Sequence, residues 1–362
     1  MRLSGGLSGI FTAALLLAAH STTAQADSPE VVVSIKPLYG LTAAIMEGVA
    51  TPELLLDETA SPHGYSLRPS DARDLSQADL VVWIGPDLES FLIAPLDSLA
   101  SQAKVVTGQD VTGLRLYPSR EGGLWDEHDH HHGEAEGHHD EDAHHHGDDD
   151  AHSHDEDAHH HDDEEDAAEK AHHHEHEDEE AHHHEDGKHT VDPHIWLDPG
   201  NAVVLTLAIG EALQQIDPAN AETYSKNADA LVVELEALDV ALAGQMDSVH
   251  ERPFIVFHDA YQYFEGRYDL AAVGSITVSP DQRPGARRIS ELREVIEARG
   301  AVCIFAEPQF SSAILDSLAE GTQVTTGRLD PLGANVPAGP DAYQTILRQL
   351  GESLVTCLEA KA

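Results

Sequence analysis

Three histidines occupy positions that suit metal ligands. His63 follows a predicted strand, His194 lies between two prolines at a helix entrance, and His258 ends another predicted strand. Open α/β sheets bind ligands beyond the carboxyl ends of their strands, and two of the three histidines fall there. Three imidazoles suit Zn²⁺ and leave a fourth tetrahedral position for water or a carboxylate. We therefore predict a zinc site at these three residues.

Four carboxylates are candidates to complete or support this site. Asp330 follows a strand and precedes a proline, so it is either the fourth ligand or a turn residue. Asp198, Asp259 and Glu307 are candidates to accept a hydrogen bond from a zinc-bound imidazole and so select its tautomer. For Asp198 and Asp259, helix capping and turn formation are the alternative roles.

A separate group of histidines lies in one acidic insert. Of the 27 histidines, 22 lie between His128 and His189, and residues 126–186 contain 27 acidic side chains against one basic. With almost nothing apolar larger than alanine, this insert is predicted to be disordered without metal. Histidine clusters flanked by carboxylates bind several metal ions weakly, which indicates an accessory zinc-capture segment. A tolerated surface insertion is the alternative. Nine candidate ligands here are His144, His145, His146, His159, His160, His161, His172, His173 and His174.

The charge and the N-terminus indicate an exported protein. With 66 acidic and 20 basic residues the net charge is −46, which argues against nucleic acid or an anionic membrane as a partner. Arg2 precedes an apolar run over residues 10–19 and a small-x-small motif ending at Ala26, which is typical of a cleaved signal peptide. A buried N-terminal helix is the alternative. We predict cleavage after Ala26 and export of the mature protein into an oxidising compartment.

Two cysteines, Cys303 and Cys357, fit this compartment. An even pair in an oxidising environment is most simply a disulfide, and two independent buried thiols are the alternative.

Short β-branched runs alternate with helical stretches from Val31 onward, which predicts parallel sheets covered by helices. Residues 220–245 follow one amphipathic helical pattern that would extend about 40 Å. The alternation restarts after this helix and includes a strand over Thr322–Thr325. Ser70 is placed to cap an earlier short helix. The fold class is therefore α/β, with two Rossmann-like lobes of parallel sheets joined by one long backbone helix.

These patterns divide the chain into four parts. A signal peptide over residues 1–26 precedes an N-terminal lobe over 27–217, which contains the acidic insert within 126–189. The connecting helix covers 218–247, and a C-terminal lobe covers 248–362.

Several motifs together, in order from Val31 to Glu359, resemble those of the zinc-specific solute-binding proteins of bacterial ABC importers (ZnuA-like, the cluster A-I metal-binding family). The motifs are Ser61-Pro-His-Gly-Tyr-Ser-Leu-Arg-Pro-Ser-Asp71, Asp192-Pro-His-Ile-Trp-Leu-Asp-Pro199, Phe257-His-Asp-Ala-Tyr261, Phe305-Ala-Glu-Pro-Gln-Phe310 and Leu329-Asp-Pro-Leu-Gly333.

The resemblance implies zinc in a cleft between two lobes, with His63, His194 and His258 as ligands. Some members use a glutamate just before the first histidine, but Pro62 stands there, so the fourth ligand is water or Asp330. Manganese members carry glutamate at the third ligand position, where this chain has His258. The resemblance also implies the Cys303–Cys357 disulfide, and a histidine-rich loop is typical of the zinc branch.

We therefore predict a monomeric periplasmic receptor that binds Zn(II) as its transported ligand, without catalysis, and delivers it to an ABC importer permease and its ATPase. A periplasmic zinc buffer or chaperone and a manganese receptor are alternatives. A zinc hydrolase is a third, with Asp259 or Glu307 as its general base.

Overall fold

Two four-stranded parallel sheets and nine α-helices make up the part of the chain that the structure describes. The structure is a computed structural model, and it describes residues 28–56, 60–120, 125, 190–277, 285–310 and 313–360. The strands are β1 (Val31–Val33), β2 (Glu53–Leu54), β3 (Leu80–Trp83), β4 (Lys104–Thr107), β5 (Phe254–His258), β6 (Ala272–Thr277), β7 (Cys303–Ala306) and β8 (Thr325–Arg328). The helices are α1 (Lys36–Ile45), α2 (Pro69–Gln77), α3 (Ile93–Ser98), α4 (Pro199–Ile216), α5 (Ala221–Met246), α6 (Gln262–Tyr268), α7 (Ala286–Arg299), α8 (Ala313–Ala319) and α9 (Ala342–Glu359).

The two sheets have the same strand order. The first is β2-β1-β3-β4 and the second is β6-β5-β7-β8, and every neighbouring pair is parallel. In the first sheet β2 lies on one side of β1 and β3 lies on the other, so the direction in which successive strands are added reverses between β1 and β3. The second sheet has the same reversal between β5 and β7. Ligands of open α/β sheets bind outside the carboxyl ends of the strands at such reversals.

Helix α5 confirms the predicted connecting helix. It has 26 residues, so it extends about 39 Å. Its buried residues recur every three or four positions, as one face of an amphipathic helix requires. They are Tyr224, Ala228, Leu231, Leu235, Leu238, Leu242 and Met246. Helices α1, α4, α5 and α9 contact one another, so helices from both halves of the chain share one apolar core.

Two local predictions were wrong. Ser70 does not cap α2, because Pro69 begins that helix and Arg68 occupies the cap position. The Arg68 backbone N–H donates to the Asp71 carboxylate at 2.8 Å, and the Ser70 hydroxyl only donates to the same carboxylate. A strand was predicted over Thr322–Thr325, but β8 begins only at Thr325. Thr322 instead extends the end of α8, because its hydroxyl donates to carbonyls there.

Helix α6 carries no amphipathic pattern of its own. Four of its seven residues are buried, namely Tyr263, Phe264, Glu265 and Tyr268, so no polar face marks it in the sequence. The helix ends at Asp269, whose φ of 53° is left-handed. Helix α6 places the Tyr263 hydroxyl between two segments near the candidate site, as described below.

Parts of the sequence predictions lie outside the described residues. The predicted signal peptide is one, and the acidic insert with its nine candidate histidines is another. None of the described helices combines the length and the apolar character that crossing a membrane requires.

A disulfide joins Cys303 at the start of β7 to Cys357 near the end of α9. The bond confirms the pairing predicted for the two cysteines. It connects the central region of the second sheet to the helix that packs against α1 and α5. The two residues are 54 positions apart, so the bond restricts a long loop in the unfolded chain.

Replacing both cysteines by alanine is expected to lower the free energy of unfolding by about 3–4 kcal/mol, because closing a loop of this length restricts the unfolded chain. Urea unfolding of the metal-free protein measures the change. The reduced wild-type protein is the control and should lose a similar amount. A loss below about 0.5 kcal/mol in both would contradict the assignment of a stabilising role to this bond.

Candidate metal centre

The three predicted histidines converge. One ring nitrogen of each of His63, His194 and His258 lies within 4.8 Å of those of the other two. The Nε2 atoms of His194 and His258 are 3.4 Å apart. Two nitrogens that bind one tetrahedral Zn²⁺ at 2.0–2.1 Å are separated by about 3.4 Å, so this spacing suits zinc.

Each histidine is positioned by a different element. His258 is the last residue of β5, and His63 lies in the loop between β2 and α2. His194 precedes a short 3₁₀ turn over Ile195–Leu197, which leads into α4. There Pro199 occupies the first helical turn, and the Asp198 carboxylate accepts from the Gly200 N–H at 2.7 Å. This capped helix start fixes the backbone that follows His194.

Two carboxylates orient two of the imidazoles. Glu307 Oε1 lies 2.7 Å from Nδ1 of His258, and Asp192 Oδ1 lies 2.8 Å from Nδ1 of His194. Asp192 Oδ1 also accepts from the His194 backbone N–H at 3.0 Å. A carboxylate oxygen opposite Nδ1 favours the tautomer with the proton on Nδ1, so the neutral form of each ring directs its Nε2 lone pair towards the other ring. A cation between them satisfies both lone pairs.

The reversal of strand order in the second sheet explains one of these pairs. His258 ends β5 and Glu307 directly follows β7, so both lie at the carboxyl ends of the two strands that flank the reversal. Their backbones are adjacent because β5 and β7 are hydrogen-bonded neighbours. The parallel sheet therefore brings a ligand and its orienting carboxylate together across 49 residues of sequence.

Asp192 is held by the two segments that flank the acidic insert. The Asp192 N–H donates to the Tyr117 carbonyl at 2.9 Å, and Pro118 and Val191 form an antiparallel bridge. The Tyr263 hydroxyl of α6 donates to the Asp192 carbonyl at 2.8 Å and accepts from the Tyr117 N–H at 3.1 Å. The residue that orients His194 is therefore fixed by main-chain contacts between residues 117–118 and 191–192 and by the Tyr263 hydroxyl.

Burial and charge set the protonation of the three imidazoles. Burial and the neighbouring histidines lower the pKa of His63 to about 2, and burial lowers the pKa of His194 well below its ordinary value. Burial acts to lower the pKa of His258, but the carboxylates of Glu307, Asp259 and Asp192 together outweigh it and raise that pKa. Two of the three ligands are therefore neutral at any physiological pH, as zinc binding requires.

An arginine balances the acidic groups beside the site. Arg120 pairs with Asp259 and Glu265, and all three side chains are mostly buried. Burial raises the pKa of Asp192 and of Glu265 to about 7, against the lowering effect of the Arg120 charge. The carboxylates exceed the single arginine in number, so the surroundings of the histidines favour a cation.

The four candidate carboxylates are placed differently from one another. Glu307 contacts a histidine, as predicted. Asp198 caps α4, and Asp259 pairs with Arg120, so neither makes the predicted hydrogen bond to an imidazole. Asp330 accepts from the N–H groups of its own turn, at Leu332, Gly333 and Ala334, and it does not belong to the converging group of described ligand atoms.

Asp192 is the orienting residue that the sequence predictions missed. It lies two residues before His194, in the same Asp-Pro-His segment, but Asp198 is also close in sequence and occupies a helix entrance. The proline after Asp192 was the available signal. A residue before proline is extended, which turns its side chain back towards the following backbone N–H groups.

Two parallel-sheet lobes joined by a long helix, with a buried three-histidine centre, define a metal-binding protein of the solute-binding class. A family model described as zinc-uptake complex component A, periplasmic (ZnuA), matches residues 31–357. The chain belongs to this family, whose members are solute-binding receptors.

Known proteins of this kind match almost the whole chain. The high-affinity zinc uptake system protein ZnuA of Brucella abortus (strain 2308) is 45% identical over 353 residues, which cover 97% of this chain and 98% of that protein. The protein of the same name from Yersinia pestis is 36% identical, covering 97% of this chain and 96% of its own length. A crystal structure of a zinc-bound ZnuA deletion mutant has a TM-score of 0.66 at 21% identity, covering 93% of this chain and 100% of that one.

Replacing Asp192 by asparagine, or Glu307 by glutamine, is expected to weaken zinc binding by about ten- to a hundredfold, because each removes the charge that orients an imidazole. Competition with a chromophoric chelator measures the dissociation constant. Asp198→Asn is the matched control and should bind zinc as the wild type does, since asparagine caps a helix equally well. Equal losses in all three variants would contradict the assignment.

Zinc binding at pH 5.5 is expected to release about two protons. One comes from His258, whose pKa is raised, and one from Asp192, whose pKa is about 7, while His63 and His194 are already neutral. Affinity should therefore fall as the pH drops through the His258 pKa. Calorimetry in buffers of different ionisation enthalpy counts the protons. Asp192→Asn should release about one proton, and release of more than three protons by the wild type would contradict this protonation scheme.

Proposed function

We propose that this protein is a periplasmic receptor that captures Zn(II) and delivers it to the permease and ATPase of an ABC importer. The observation that carries the proposal is the approach of the His194 and His258 Nε2 atoms to 3.4 Å, with a carboxylate at the other nitrogen of each ring. The relatives named as high-affinity zinc uptake proteins support zinc as the cargo. Zinc is bound and released as an ion, and the protein catalyses no reaction on it.

His63, His194 and His258 are the proposed protein ligands of the zinc. Water takes the fourth position, because the Asp330 carboxylate is already engaged by backbone N–H groups of its own turn. Pro62 stands where a carboxylate ligand would have to precede His63. Three imidazoles favour Zn²⁺ over Mn²⁺, since Mn²⁺ prefers carboxylate and water oxygens.

The signal peptide, the extent of the lobes, the oligomeric state and the role of the insert are also proposals. We infer a cleaved signal peptide over residues 1–26, lobes over 27–217 and 248–362 joined by residues 218–247, and a monomer in solution. The acidic insert within 126–189 acts as an accessory zinc-capture segment that exchanges zinc with the histidine centre. The bridge between Pro118 and Val191 supports this role, because it pairs the described segments that precede and follow the insert in sequence close to Asp192.

A zinc hydrolase is less well supported. Such an enzyme needs a free general base beside the zinc-bound water. Glu307 accepts from His258 and Asp259 is paired with Arg120, so both carboxylates available for that role are engaged.

Calorimetric titration of the metal-free mature protein, beside a version without residues 126–186, tests the receptor proposal. One tight zinc site should survive the deletion, and weaker sites should disappear with it. His258→Ala in the shortened protein is the control and should lose the tight site, because two imidazoles leave a poor zinc centre. Loss of all tight binding with the insert would overturn the receptor proposal. In cells at limiting zinc, unchanged uptake by the shortened protein would overturn the capture role of the insert.

A further inference from the structure

Gln309 lines the same small cavity as the three histidines and has no use in the protein fold. It follows β7 in the segment Glu307-Pro-Gln-Phe310, at the reversal of strand order in the second sheet. Its Oε1 and Nε2 atoms are both buried, and neither has a hydrogen-bond partner among the described residues. Buried side-chain amides in folded proteins almost always have partners, so an amide with neither atom paired requires an explanation.

Two other polar side chains of the cavity wall, Trp196 and Glu307, have partners. Trp196 Nε1 donates to the Pro331 carbonyl at 2.9 Å, and Glu307 Oε1 faces His258 at 2.7 Å. Gln309 therefore adds an unused acceptor and an unused donor to the lining of a cavity that also includes the apolar side chains of Trp196, Phe310 and Leu332. An apolar residue of the same length would fill this space with no unpaired polar group.

The missing partner has the chemistry of a water molecule on the metal. Three imidazoles leave one tetrahedral position open, and no described carboxylate shares the converging group of ligand atoms. Water bound to Zn²⁺ is a strong hydrogen-bond donor because the cation withdraws electron density from it. The amide Oε1 accepts such a bond without adding a negative charge.

We propose that Gln309 positions the water that completes the zinc coordination, with Oε1 accepting a hydrogen bond from that water. The proposal rests on the proposed zinc-receptor function. A neutral amide holds the fourth ligand in place but does not bind the metal as firmly as a carboxylate would. The fourth ligand held by Gln309 is thus a water molecule that an incoming ligand can displace when zinc leaves.

The decisive variant is Gln309→Met, which keeps the length of the side chain and removes both polar atoms. Zinc affinity should fall about tenfold, in the range found when partners of metal ligands are removed. The unfolding temperature of the metal-free protein should stay the same or rise, because an unpaired buried amide has been replaced by an apolar group. A purely structural role would lower stability together with affinity.

Visible absorption of the Co²⁺-loaded protein supplies a readout specific to the metal. The d–d bands of the wild type should shift in Gln309→Met, because the bound water loses its acceptor. Gln344→Met is the matched control: Gln344 on α9 is also a buried glutamine whose Oε1 has no partner among the described residues, but it does not line the cavity. Its zinc affinity and Co²⁺ spectrum should match the wild type.

Gln309→Glu provides the rescue, since it restores an oxygen acceptor at the same place and should recover the affinity lost in Gln309→Met. Unchanged zinc affinity and an unchanged Co²⁺ spectrum in Gln309→Met would overturn the proposal. So would a metal-free protein that loses stability in parallel with affinity. Failure of the receptor function is distinguishable, because the wild type itself would then lack a tight site that depends on His258.

Discussion

The structure depends on burying three imidazoles within 4.8 Å of one another, two of them uncharged. Burial disfavours the imidazolium form of all three rings, and the rings also repel one another's charge. Glu307 and Asp192 then decide which nitrogen of His258 and His194 keeps the proton. The result is a set of ring nitrogens that converge on one another and that a divalent cation can bind.

This constraint determines what the fold must supply. A ligand and its orienting carboxylate have to approach within hydrogen-bond distance, and adjacent parallel strands do this at their carboxyl ends, as for His258 and Glu307. His194 and Asp192 instead meet within one short segment, which is anchored by Tyr263 of α6 and by the start of α4. His63 has no hydrogen bond to another described residue, so its loop positions it without such support.

The alternation of strands and helices, the long helix and the three histidines could be predicted because each depends on local pattern. The residue that orients His194 could not, because Asp192 and Asp198 both lie within four residues of it in sequence and only the three-dimensional fold separates a hydrogen-bond acceptor from a helix cap. Asp259 was a reasonable candidate beside His258, but the decisive partner, Arg120, is 139 residues away. Side-chain pairings across such distances follow from packing, which local sequence does not contain.

The two halves of the chain are tied by buried hydrogen bonds around the site. Lys36, only 4% exposed, donates from Nζ to the carbonyls of Gly333 at 2.6 Å and Val336 at 2.8 Å. The Tyr343 hydroxyl donates to the Trp196 carbonyl at 2.8 Å, beside the cavity wall. Separating the halves would break these bonds, and hydrogen bonds to a charged group contribute about 1.5–3 kcal/mol each. Local movement of the His63 loop breaks none of these bonds, so the energetics favour small changes at the site over a wide opening of the lobes.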